Sequence, residues 1–199
     1  MTRVGGIVLC GGRSSRMGRP KAWLPFGGEL MLPRVVRLVS EAVSSIVVVA
    51  SRGQELPPLP TDVVVCHDPQ PDLGPLQGLA AGLAMLPAGT DAAYVSSCDV
   101  PLLRPAFVLR MIELLGAHQA CVPQVGGYLH PLSAVYRPEV VSMANQLLAA
   151  GERSLMRLCC ALRTRIATAD ELADVDPVLR SLRNVNTPEE YAALGDAQR

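Results

Sequence analysis

Short runs of β-branched and aliphatic residues alternate along this chain with longer stretches of helical spacing, and that alternation constrains the fold more than any other feature. Ile46-Val47-Val48-Val49 contains no polar residue, as expected of a strand buried on both faces. Strands are expected at residues 3–9, 45–50, 62–66, 92–97, 119–123 and 132–136, and helices at 32–43, 76–85, 105–115, 138–149 and 154–162. Such alternation predicts an α/β fold, a mostly parallel central sheet with helices on both faces. At 199 residues the length suits one domain, 1–199. No repeat or low-complexity linker divides it, and Pro57-Pro58-Leu59-Pro60 reads as a surface turn.

Composition narrows the function. With 18 basic and 18 acidic side chains the formal net charge is +0, which argues against a general nucleic-acid or membrane-surface binder. Two Phe, one Trp and four Tyr give no stacking platform for unpaired bases. Hydrophobic residues, at 49%, suffice for a packed core and exclude disorder as the main state. The six cysteines form no C-x-x-C pair and no zinc-type spacing, and most read as small buried hydrophobes of a reducing compartment. Cys10 is the exception, because it borders a glycine-rich loop. The apolar run before Cys10 is too short for a signal segment, Leu9 is not the small residue that precedes a lipidated cysteine, and nothing approaches a membrane span. A cytoplasmic location is the expectation.

Ligands of such sheets bind beyond the carboxyl ends of the strands. The first strand runs into Leu9-Cys10-Gly11-Gly12-Arg13-Ser14-Ser15-Arg16-Met17-Gly18-Arg19-Pro20-Lys21. Glycines let backbone amides close on a phosphate, and Arg13, Arg16, Arg19 and Lys21 add positive charge. The loop matches neither the Walker A nor the G-x-G-x-x-G pattern. It is either an anion site, best suited to a nucleotide phosphate, or a tight turn with a solvated basic face. Lys21 is the only lysine; every other basic residue is arginine. A compact point charge, rather than a planar fork, suits charge developing on the α- and β-phosphates.

Asp99 follows a buried strand in Ser97-Cys98-Asp99-Val100-Pro101 and is a candidate ligand for a divalent cation. Capping of the next helix is the competing role, weakened because that helix starts near Pro105. Asp68, followed by Gly74-Pro75-Leu76-Gln77-Gly78, suits ribose or base contacts or is a plain turn residue. His130, after Gly126-Gly127, has no Ser or Cys nucleophile pattern beside it, so phosphate contact or a structural hydrogen bond fits better than catalysis.

Taken together, these segments are similar to the nucleotidyltransferase superfamily, and within it the chain resembles the molybdenum cofactor guanylyltransferases (the molybdopterin-guanine dinucleotide biosynthesis protein A family). Ala149-Ala150-Gly151-Glu152-Arg153-Ser154 and Asn184-Val185-Asn186-Thr187-Pro188-Glu189-Glu190 resemble further segments of that branch. The resemblance implies a Rossmann-like three-layer α/β/α sandwich of the nucleotide-diphospho-sugar transferase type, with a nucleotide-binding N-terminal half and an acceptor-binding C-terminal half. It implies GTP held by Leu9, Cys10, Gly11, Gly12, Lys21, Ser51, Asp68 and Asp99, and Mg²⁺, with Mn²⁺ as a substitute, at Asp99. Lys21, Asp99 and Arg16 would be the catalytic residues. His130, Arg153, Asn184 and Asn186 would lie on the side of the acceptor, molybdopterin or molybdenum cofactor. The implied reaction transfers GMP to the pterin phosphate and releases pyrophosphate. Implied partners are these substrates, with transient contact to molybdoenzymes or cofactor chaperones, and neither nucleic acid nor membrane.

Three positions depart from the family pattern: Cys10 replaces the usual alanine, Ser51 the usual asparagine, and Pro20 the acidic residue before Lys21. Cytidylyltransferase relatives commonly carry a methyl side chain where this chain has Gly11, which leaves room for a purine and favours GTP over CTP. The alternatives are a CTP-dependent molybdenum cofactor cytidylyltransferase or related nucleotidyltransferase, and a non-catalytic nucleotide-binding carrier.

Overall fold

A computed structural model describes residues 2–11, 20–68 and 74–196. In chain order its strands are β1 (Val4–Leu9), β2 (Pro25–Phe26), β3 (Glu29–Leu30), β4 (Ser45–Ala50), β5 (Val64–His67), β6 (Ala92–Ser97), β7 (Ala120–Val125), β8 (Tyr128–Leu129), β9 (Ser133–Tyr136) and β10 (Thr164–Thr168). The α-helices are α1 (Met31–Ser40), α2 (Pro75–Ala84), α3 (Pro105–Leu115), α4 (Val140–Ala149), α5 (Leu155–Ala161), α6 (Ala169–Leu172) and α7 (Pro188–Asp196).

Eight strands form one sheet in the order β10-β7-β9-β6-β1-β4-β5, with β8 paired to β7. β1 lies between β4 and β6, parallel to both, and β5 continues the parallel run beyond β4. β9 is antiparallel to its neighbours β6 and β7, and β10 is parallel to β7. The strand order reverses at β1, which opens a crevice beyond the carboxyl ends of β1 and β6, where α/β sheets bind ligands.

Side chains of β1 alternate between two cores, as the two-residue period of a strand requires. Val4 and Val8 join Val36 and Val39 of α1 and Phe107 and Met111 of α3 on one face. Ile7 and Leu9 join Leu79 and Leu83 of α2, Ala144 of α4 and Leu158 of α5 on the other. The result is the expected three-layer α/β/α sandwich with a mostly parallel sheet. A third small cluster, Leu24, Phe26, Met31 and Val185, ties the β2–β3 hairpin to the C-terminal segment.

All the expected strands and helices form, with small shifts at their ends; β5 begins at Val64 rather than at residue 62. Residues 57–60 differ from a surface turn: Pro57 is buried, and Leu56 and Leu59 pack on the core, because the connection from β4 to β5 runs along the molecule. Missing from the sequence expectations are the β2–β3 hairpin, β8, β10, α6 and α7. Thr164-Arg165-Ile166-Ala167-Thr168 has one fully buried side chain, so an edge strand there shows little apolar pattern.

Candidate active site

The crevice is a cleft of about 850 Å³, within the size of small-molecule sites. Leu9, Cys10, Gly11, Lys21, Ser51, Asp68, Asp99, Asn184 and Asn186 all line it. His130, Arg153 and Asn184 line a second, smaller cleft of about 390 Å³. The two share Pro75, Leu132 and Asn184, so they adjoin. Gly12 and Arg16, like Arg13 and Arg19, lie outside the described residues.

Asp99 organises the floor. Its carboxylate is buried in a turn fixed on three sides: Arg34 Nε donates to the Pro101 carbonyl at 2.8 Å, the Leu103 amide to that of Val100 at 3.1 Å, and the Val185 amide to that of Asp99 at 2.8 Å. Ser97 Oγ donates to Oδ1 at 2.6 Å and Asn184 Nδ2 to the same oxygen at 3.0 Å. Lys21 Nζ donates to Oδ2 at 2.7 Å and to Asn186 Oδ1 at 2.8 Å. Asp99 does not cap α3, whose N-cap is Arg104.

The two asparagines are placed by a local signal. Thr187 Oγ1 accepts from the Glu190 amide at 3.2 Å, while Glu190 Oε2 accepts from the amides of Asn186 at 2.7 Å and Thr187 at 3.1 Å. This is a capping box, with Pro188 in the first turn where its missing amide costs nothing. It starts α7 and turns Asn184-Val185-Asn186 toward the cleft, with Val185 fully buried as the pin. Tyr191 of α7 then packs on Phe26, ring centroids 6.5 Å apart, and its hydroxyl donates to the Pro25 carbonyl.

The opposite wall is held by a residue that the sequence did not flag. Gln54 accepts from the Ser51 amide at 3.0 Å and donates to the Cys10 carbonyl at 3.1 Å and the Cys10 sulfur at 3.4 Å. A Cβ on Gly11 would stand 2.9 Å from Ser51 Oγ. The space beside Gly11 is therefore filled by Ser51, and the glycine acts by letting the loops after β1 and β4 close together. The roof is the start of α2. Gly74 adopts φ +76°, and a Cβ on Gly78 would make ordinary contact with Leu9 at 3.4 Å.

Electrostatically, the cleft floor joins one ammonium to one carboxylate, and the adjoining cleft holds His130 with its pKa lowered by burial, hence neutral near pH 7. The Cys10 thiol is pulled below its ordinary value by a hydrogen bond with Cys98, against the effect of burial, and Cys98 is pushed up by that bond and by burial. Among the described residues no three His, Cys, Asp or Glu side chains gather to cage a metal ion. The carboxylate of Asp99 already holds a cation, the Lys21 ammonium. A divalent ion there would draw its remaining ligands from substrate phosphates and water, which is how Mg²⁺ is usually bound. The donor set fits a metal that arrives with a nucleotide.

Ser97 and Gln54 were missed by sequence reading. The pair Ser96-Ser97 closing the apolar run of β6 was the available signal for Ser97; a glutamine in a turn carries none.

A sheet with its switch-point cleft built around a lysine, a buried aspartate and a glycine just past the first strand is the arrangement of a nucleotidyltransferase. The MobA-like NTP transferase domain family matches residues 6–168, and the chain belongs to that family. A protein of Mycobacterium avium named probable molybdenum cofactor guanylyltransferase is 34% identical over 98% of this chain and 97% of its own. Molybdopterin-guanine dinucleotide biosynthesis protein A of Archaeoglobus fulgidus shares the fold, with a TM-score of 0.79 at 21% identity over 98% of both chains. A Mycobacterium tuberculosis protein solved as a manganese complex shares it with a TM-score of 0.66 at 20% identity, over 98% of this chain and 100% of that one.

Proposed function

We propose that the chain is a molybdenum cofactor guanylyltransferase, transferring GMP from GTP to the phosphate of the molybdopterin cofactor and releasing pyrophosphate. The observation that carries the reading is the Lys21–Asp99–Asn184 cluster where the two clefts meet, with family membership behind it. The larger cleft takes the nucleotide and the smaller the acceptor, so one domain serves both through its two halves.

In this reading Leu9, Cys10, Gly11 and Ser51 line the nucleoside side, and Asp68 faces it from the end of β5. Lys21 turns from Asp99 to the α- and β-phosphates when nucleotide enters. Gly12 and Arg16 complete the phosphate loop. His130, Arg153, Asn184 and Asn186 address the acceptor. An acceptor phosphate oxygen attacks the α-phosphorus; the new O–P bond forms as the bond to the β-phosphate oxygen breaks, and pyrophosphate carries the electron pair away. The protein supplies alignment and a fixed positive charge, and no covalent intermediate is needed. Mg²⁺, or Mn²⁺, would be held by Asp99 and would neutralise charge on the leaving group. Asn184 reaches both clefts and keeps the Asp99 carboxylate oriented. The cytoplasm, which supplies GTP and keeps the six unpaired thiols reduced, is the location that fits. No helix among the described residues is long and apolar enough to cross a membrane.

Magnesium-dependent pyrophosphate release with molybdopterin, comparing GTP, CTP and ATP, tests the reading. Release should require GTP, and Asp99→Asn or Lys21→Met should lower the rate by about 10²–10³-fold, the usual cost of removing one preorganised electrostatic group. Release with CTP alone would move the enzyme to the cytidylyl branch. Nucleotide binding without release would make the chain a carrier.

A further inference from the structure

Two cysteines stand in the nucleotide cleft, and the mechanism above uses the sulfur of neither. The register of β1 with β6 pairs Val8 with Ser96 and Leu9 with Ser97. The Cys98 amide donates to the Leu9 carbonyl at 3.0 Å, so the alignment persists past the strand ends and sets Cys10 opposite Cys98. Neighbouring strands run roughly 4.8 Å apart, within the Cα separation of about 4.4–6.8 Å that a disulfide spans. Both side chains belong to one core cluster. Both residues also line the cleft, at 5% and 6% exposure, so a small oxidant entering the empty cleft meets them and a bound nucleotide covers them.

We propose that Cys10 and Cys98 form a reversible oxidation site whose disulfide weakens nucleotide binding, an inference that rests on the reading of this cleft as the nucleotide site. Hydrogen peroxide is an adequate oxidant. The Cys10 sulfur attacks one peroxide oxygen, the O–O bond breaks, and a sulfenic acid and water form. The Cys98 sulfur then attacks the Cys10 sulfur, its proton leaves with the hydroxide as a second water, and the S–S bond closes. Two thiols and one peroxide thus give one disulfide and two waters, and a dithiol reductant reverses the change.

Bond formation draws the Cys10 sulfur toward Cys98 and away from the Gln54 amide, which also braces the Cys10 carbonyl and the Ser51 amide. The wall made by Cys10, Gly11 and Ser51 loses that brace, and the bond pulls on the residue next to Asp99. GTP affinity should fall by about tenfold or more, the scale of one or two displaced hydrogen bonds.

The test uses the full chain, reduced and then treated with hydrogen peroxide with and without Mg-GTP. Loss of two hydrogens in the intact mass, a cross-linked peptide joining Cys10 and Cys98, weaker GTP binding restored by dithiothreitol, and slower linkage under Mg-GTP are expected. Cys10→Ala, Cys98→Ala and Cys98→Ser are each compared with their own reduced forms, and none should show the oxidation-dependent change in affinity. Oxidation confined to other cysteines such as the exposed Cys160, or a linked pair with unchanged affinity, would overturn the proposal. Reduced protein that binds no GTP would overturn the nucleotide reading and the coupling together, while the peptide map reports separately whether the pair forms.

Discussion

Asp99 has both carboxylate oxygens engaged, by a serine two residues away and by partners 78 and 85 residues distant. Its neighbourhood shows why single residues here act through their neighbours. At Gly11, an added methyl would meet Ser51 Oγ at 2.9 Å and push the two loops apart. Gly11→Ala should therefore raise the KM for GTP by about tenfold, in line with the cost of mild overpacking. Adding Ser51→Gly should recover part of that loss, as steady-state kinetics would show; no recovery would mean the methyl meets the nucleotide directly. His130 has a pH signature. Burial lowers its pKa below 6.5, so the folded chain keeps it neutral where the unfolded chain takes up a proton. Its contribution to stability is flat at higher pH and becomes unfavourable as pH falls through 6.5 toward the folded value. Urea unfolding at about pH 7.5 and about pH 5.5 should show a smaller acid-side loss in His130→Gln than in the parent.

At the scale of one element, α2 sets how near the cleft roof lies to β1, and two of its glycines separate packing from helix propensity. Both would gain about 1 kcal/mol of propensity as alanine. A Cβ at Gly82 would stand 2.6 Å from Ile7 Cγ2 and 3.1 Å from Val49 Cγ2, stiff branched side chains of buried strands. Gly82→Ala should therefore be net destabilising, overpacking costing about 1–3 kcal/mol. Gly78→Ala makes only ordinary contact with Leu9 and should be neutral or stabilising. Urea midpoints of the two variants decide it; equal behaviour would remove close packing as the reason for Gly82. The elements differ in legibility for related reasons. β4 announces itself because burial on both faces demands an apolar run. α7 does not, since Pro-Glu-Glu-Tyr-Ala-Ala-Leu-Gly-Asp is a weakly amphipathic helix whose start depends on the Thr187–Glu190 box.

Across the whole molecule, the site is closed by two segments that lie far apart in the chain. Lys21 and Asn186 are 165 residues apart in sequence and 2.8 Å apart in space. The Val185–Phe26–Met31 cluster holds them there. Binding should consequently stabilise the entire fold: Mg-GTP at a hundred times its Kd adds about 2.7 kcal/mol to unfolding. Asn184→Ala, which frees one oxygen of Asp99, should weaken that stabilisation and slow transfer by about tenfold, read by thermal shift and pyrophosphate release. A variant with a full ligand-induced shift and normal turnover would show that Asn184 does not orient the carboxylate.

The sequence by itself determined what is local. The apolar runs set the strands, and the lone lysine and the aspartate after β6 marked the chemistry. Each rests on residues within a short stretch of chain, where periodicity leaves a readable trace. Tertiary structure alone decided that Lys21, Asp99 and the two asparagines meet, that Ser51 fills the space beside Gly11, that Gln54 braces one wall, and that Cys10 faces Cys98. Those contacts depend on strand order and on how closely α2 packs on β1. Hydrophobic patterning fixes which face of an element is buried, but not which element becomes its neighbour.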